Sequence, residues 1–222
     1  MEAAEREPIL VFGAGGHAQS VIATIEHGRY FVVMGLIVEK ALAVSHTHVS
    51  LMGHPVLGGL EVLEHGMPSG CTGVALAIGD NAARARIGKR LGELNIPLRS
   101  VIHGLACIAP DAVLGDGCFI HGFAHVGPGA ILGAGAIVSS HCTIGHGSRI
   151  GGWAHLTPGV RLGGDTRIGR GAFLGMGCAI LPRISVGAGA SVGANSVVHK
   201  NIADGAVVAG NPARTIRRAT IG

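Results

Sequence analysis

The sequence predicts two organisations in one chain, a small parallel α/β domain over residues 1–100 and a parallel β-helix over residues 101–222. Three observations carry this. The turn "GAGGHA" at residues 13–18 follows an apolar run and precedes a helical stretch. From Ile102 to Val198 an aliphatic residue stands at every sixth position, seventeen times without a miss. Glycine supplies 39 residues while aromatics make up only 3%, so the cores are expected to be aliphatic and small side chains joined by tight turns.

In the first domain, Ile9–Phe12 reads as the opening strand, the glycine turn leads into a helix from Ala18 to about His27, and "FVVMGLIV" (31–38) is a second buried strand ending before Glu39. A polar, His-containing loop follows. "HPVLGGLEVLEHG" gives a short extended segment and a short helix, and "GVALAIG" (73–79) a further strand. "DNAARARIGKRLGEL" gives a helix capped by Asp80 or Asn81. Beyond Ser100 each aliphatic residue is usually followed, four positions on, by a small one such as Ala124, Cys142, Ser148 or Ala172, and often directly by glycine. Three such hexads make one triangular coil of 18 residues, so the seventeen make between five and six coils. Cys118, Cys142 and Cys178 fall in the small-residue column and read as packed thiols. The rhythm ends at "NIADGAVVAGNPARTIRR", read as a terminal cap.

Composition excludes several classes. A net charge of +4 without Lys/Arg runs argues against a nucleic-acid partner. Five cysteines without a CxxC pair indicate reduced thiols and no zinc ribbon. His46, His48 and His54 share a loop without cysteines or closely spaced carboxylates, so no metal is expected there. The acidic start "MEAAEREPIL" and the absence of an uninterrupted apolar run of membrane length favour a cytoplasmic location without membrane insertion.

Gly13, Gly15 and Ala18 fit G-x-G-x-x-A at a strand-to-helix turn, a Rossmann-like place for a phosphate, and Glu39 lies where a dinucleotide domain holds its ribose. A nicotinamide oxidoreductase would need a substrate domain with acid-base residues, and the rest of the chain is repeats instead. Together, "GAGGHA", "ALAIGDN", the hexads and "GNPAR" resemble the sialic acid O-acetyltransferase and nucleotide-aminosugar N-acetyltransferase family over almost the whole chain. The resemblance implies left-handed β-helices assembled as homotrimers, with acetyl-CoA bound between neighbouring helices and a nucleotide-linked amino sugar held by the N-terminal domain.

It also implies roles for residues. "HGSRIGGWAHLTPG" matches the family's catalytic segment through His146, Ile150-Gly151 and, nine residues after the first histidine, His155. His146 is then the general base and His155 a contact to acetyl-CoA or the acceptor. Gly164 lies 18 residues after His146, hence one coil along, where its amide would polarise the thioester. Gly13, Gly15, Gly16, His17 and Glu39 would contact the sugar nucleotide, while Arg214, with Arg217 and Arg218, would meet the phosphates of CoA. Two positions depart from the pattern. Gly147 stands where a carboxylate usually follows the base, leaving Ser139, Ser140, a backbone carbonyl or Asp165 to orient His146, and Lys40 replaces a second acidic residue after Glu39. A rival base is His141, at a turn position in "SSHC". Direct N-acetylation is the first reading. The alternatives are O-acetylation of a sialic acid-like sugar and an inactive protein that binds sugar nucleotide and CoA.

Overall fold

The structure is a computed structural model that describes residues 6–39 and 50–217. Lys40, His46, His48 and Arg218 lie outside the described residues. The chain divides into two compact units, Met1–Gly104 and Leu105–Gly222.

In the first unit β1 (Glu7–Phe12), β2 (Phe31–Ile37), β3 (Ser50–Leu51), β4 (His54–Gly58) and β5 (Val74–Leu76) form a sheet in the order β3-β4-β2-β1-β5. β1 pairs in parallel with both β2 and β5, and Ile9, Leu10, Val11 and Phe12 are fully buried. A parallel strand covered on both faces has no polar side to present, hence the continuous apolar run. β3 departs from the expected loop. It pairs antiparallel with β4 around Met52 (φ 53°) and Gly53 (φ 83°), the left-handed pair that suits a two-residue hairpin. Helix α1 (Gly16–His27) starts two residues before the expected Ala18 and buries Ala18, Val21, Ile22 and Ile25 against the sheet unit's core. The helix Asn81–Glu93 starts where the pattern places it, with the Asp80 side chain accepting a 2.7 Å hydrogen bond from the Ala83 amide.

The second unit is a parallel β-solenoid. Up to Val198 each rung repeats after 18 residues, as in the series His125, Thr143, Arg161, Ala179 and Val197, whose backbones pair in register, and the last steps, Ser191 to Val207 and Val186 to Ile202, shorten to 16. From Ile120 to Val198 the aliphatic column is buried throughout, and Ala, Cys, Ser and Thr fill the inward corner positions beside it except at Val160 and Ile184. The start of the column is open: Ile102 is 38% exposed, and Ile108 and Leu114 are only partly buried. An end rung has a neighbour on one side only, which explains the difference.

The corners explain why glycine occurs in two columns. The residue directly after each aliphatic one runs close beneath the next rung, so a Cβ on Gly145 would lie 2.6 Å from the Gly163 carbonyl carbon. The residue two further on is left-handed, and here glycine alternates with Phe123, His141, Trp153, Asp165, Arg183 and Asn195, all at φ between 54° and 63°. The chain closes with Val207–Ala209 and an antiparallel Arg214–Arg217 strand.

Candidate active site

The solenoid brings His146 and Gly164 together. They occupy the same corner position on consecutive rungs, and the imidazole leans along the axis so that a Cβ on Gly164 would overlap its Nε2 and Cε1. Only a glycine leaves room for the ring. The Gly164 carbonyl accepts from the Arg183 amide at 2.9 Å, while its own N–H has no acceptor among the described residues. His146 is exposed, and its ring fills the space that a side chain at residue 164 would take.

Behind the amide lies a feature that periodicity alone does not reveal. Ser148 and Thr166 take the inward small-residue position at this corner and are fully buried. The Thr166 hydroxyl donates to Ser148 Oγ at 3.0 Å, and Ser148 Oγ donates to the Gly163 carbonyl at 3.2 Å. That carbonyl belongs to the peptide whose N–H is that of Gly164. The hydroxyl pair therefore orients and polarises that peptide plane. The legible signal was two hydroxyl residues 18 apart in a column otherwise filled mainly by Ala and Cys.

Asp165 and Gly147 complete the corner. The Asp165 amide donates to the His146 carbonyl at 2.8 Å, and the Asp165 carboxylate leans back over Gly147, where a Cβ on residue 147 would collide with Oδ1. The rival His141 sits on a different corner with φ 57°, its ring stacked on Phe123 with centroids 5.2 Å apart. The inward position there belongs to Cys142. His155 is not gathered into the His146 site. It lies on a strand of another sheet, edge-on to Phe173 at 5.5 Å. Arg214 borders a hollow of about 770 Å³ at the capped end, together with His199, Lys200, Asn201 and Asp204. Lys200 was not singled out by the sequence. It lies 36 residues, two coil lengths, beyond Gly164.

In the first unit the glycine turn divides by cause. Gly13 is demanded by the fold: its φ is 133°, and a Cβ would press against the Ala77 carbonyl. Gly15 and Gly16 are exposed, and a Cβ on either would meet nothing. The protein's own packing therefore does not require glycine at either position. Helix α1 begins there with no side-chain cap and no acidic residue in its first turn, an arrangement suited to an anion. His17 is half-buried beside Gly79. Glu39 is tied to Arg86, and both line a hollow of about 800 Å³ with Phe12, Leu60, Glu61 and Arg90. Arg84 is buried and donates to the carbonyls of Ile78 and Gly79 at 3.0 and 3.1 Å and to Asn81 Oδ1 at 2.9 Å, fixing the loop beside His17. Of the loop histidines, His54 pairs with Glu26 at 2.9 Å.

Residues 8–91 match the PglD N-terminal domain, and residues 111–146 and 165–200 match the bacterial transferase hexapeptide repeat. The chain belongs to the hexapeptide-repeat acyltransferases that carry a PglD-type N-terminal domain. Among solved structures it is similar to the acetyltransferase domain of PglB from Neisseria gonorrhoeae in complex with acetyl coenzyme A, at 31% identity and a TM-score of 0.86 over 96% of this chain and 100% of that one. It is also similar to PerB from Caulobacter crescentus in complex with CoA and GDP-perosamine, at 28% identity and a TM-score of 0.86 over 94% and 96% of the two chains. WeeI from Acinetobacter baumannii, 22% identical with a TM-score of 0.77 over 94% of this chain and 100% of that one, shares the fold. No curated protein matches by sequence search. No helix among the described residues is long and apolar enough to cross a membrane.

Proposed function

We propose that the protein transfers an acetyl group from acetyl-CoA to the amine of a nucleotide-linked amino sugar. The observation that carries this reading is the His146 imidazole lying directly over Gly164, a base beside a free amide. The sugar amine attacks the thioester carbonyl. As the C–N bond forms, His146 accepts the proton from nitrogen, the Gly164 N–H meets the developing oxyanion, and the C–S bond breaks. The CoA thiolate leaves and takes up that proton.

The sugar nucleotide is held at Gly13, Gly15, Gly16, His17 and Glu39, with its phosphates at the uncapped start of α1. Arg214 and Lys200 meet phosphates of CoA, and His155 contacts the acetyl-CoA or the acceptor. A homotrimer in the cytoplasm is the working form. Exposed apolar side chains on the solenoid, including Phe123 (60%) and Met176 (59%), favour such association.

A panel of nucleotide-linked amino sugars mixed with acetyl-CoA tests this by thiol release and product mass. One acceptor should turn over, and His146→Ala should lower its kcat at least about 100-fold without loss of fold. CoA binding without transfer to any acceptor would overturn the reading, and an O-acetylated product would move the acceptor atom.

A further inference from the structure

We infer that Asp165 is the positioning carboxylate for His146, supplied from the next coil in place of a side chain at residue 147. This rests on the proposed role of His146 as base. The two side chains cross the gap between rungs in opposite directions. The imidazole reaches from residue 146 to cover Gly164, and the carboxylate reaches from residue 165 to cover Gly147. The Asp165 amide on the His146 carbonyl, at 2.8 Å, locks the two rungs together at this point.

The ring atoms nearest Gly164 are Nε2, Cε1 and Cδ2, so Nδ1 lies back toward the rung over which the carboxylate leans. The two groups do not form an ion pair, since no imidazole nitrogen lies within 4.0 Å of the carboxylate oxygens among the described residues. The physical consequence is charge balance. When His146 takes the proton from the attacking amine it becomes a cation, and a fixed carboxylate alongside stabilises that state and orients the ring through Nδ1. Catalytic hydrogen bonds are often longer before substrate is bound.

The glycine at 147 is the other half of the arrangement. Residue 147 has φ 64°, and a Cβ there would collide with Asp165 Oδ1. Residues 147 and 165 thus compete for one space, and only one of them can fill it. Asp tolerates the left-handed region better than most residues, so the carboxylate can be moved between the two positions.

Four variants test the inference in the full chain: Asp165→Asn, Asp165→Gly, Gly147→Asp, and the exchange Gly147→Asp with Asp165→Gly. Asp165→Asn and Asp165→Gly should each lower kcat about tenfold while leaving KM for both substrates within about twofold. Gly147→Asp alone should also be impaired by overlap, and the exchange should recover most of the wild-type kcat. Unchanged kcat in Asp165→Asn, or an exchange no better than Asp165→Gly, would overturn the inference while leaving His146 as base.

A readout independent of turnover is the tautomer of His146, read from the 15N shifts of its ring nitrogens. The proton should sit on Nδ1 in the wild type and in the exchange, and move largely to Nε2 in Asp165→Gly. The same tautomer in wild type and Asp165→Gly would overturn the inference even if no acceptor were found, whereas failure of every acceptor alone would count only against the proposed function.

Discussion

At the corner that holds His146, small differences between side chains decide what can be placed where. Gly164 is there because the imidazole occupies the space of its Cβ. Gly164→Val should therefore leave the solenoid folded, as judged by circular dichroism and sedimentation, yet lower kcat by about 100-fold or more because the ring is driven off the amide. Ser148 is a second sensitive position. Ser148→Ala removes the donor to the Gly163 carbonyl and leaves the buried Thr166 hydroxyl without its acceptor, which should cost about 1–3 kcal/mol in denaturant unfolding. It should also slow turnover severalfold through the less polarised Gly164 amide. Thr166→Ala should cost less, since it empties the far end of the pair. The spacing in the sequence pointed to His146 and Gly164 as partners. It could not show that Asp165 leans over Gly147, because that contact depends on which way each side chain tilts between rungs.

Within an element, stability follows from how the rungs stack. Each inward aliphatic residue touches the ones above and below it, so Ile144→Ala or Leu162→Ala in the middle of the column should cost about 2–5 kcal/mol in urea unfolding. The same change at Ile102, 38% exposed at the open end, should cost well under half as much. A smaller addition can do similar harm: Gly151→Ala would press a Cβ within 2.7 Å of the Gly169 carbonyl carbon on the next rung. The hexad period separates these glycines from the left-handed ones two residues on, but the letter does not tell that one column is held by close approach and the other by backbone angle. In the α/β unit, Asp80 as the cap of its helix was legible from local chemistry. The β3–β4 hairpin was not, because Ser50 and Leu51 are too few to form a pattern.

For the molecule as a whole, the buried thiols give a pH dependence. Desolvation pushes Cys118 and Cys142 up to about 11 and Cys178 up to about 12, from an ordinary 9.0. In the unfolded chain these thiols ionise near 9.0, while in the folded chain they stay neutral. Their contribution to stability is thus complete below pH 9 and is lost as pH rises through about 11 to 12. Urea midpoints measured from pH 8 to 11.5 should fall more steeply for the wild type than for a variant with all three replaced by Ala, which the same column accepts elsewhere. In the native chain at pH 8, the exposed Cys107 should react quickly with a thiol reagent and these three should not.

The sequence by itself determined the two-part architecture, the interior columns of the solenoid and the pairing of residues one coil apart. Those features are periodic or local, and an unbroken period of six leaves few ways to bury its aliphatic stripe. The tertiary structure alone decided the Asp165–Gly147 crossing, the Thr166–Ser148–Gly163 chain, the Arg86 partner of Glu39 and the burial of Arg84 against the loop from Ile78 to Asn81. Each is a contact of a side chain with a group that the fold brings beside it, and its outcome is set by tilt, rotamer and the space left by a missing Cβ, none of which a string of letters records.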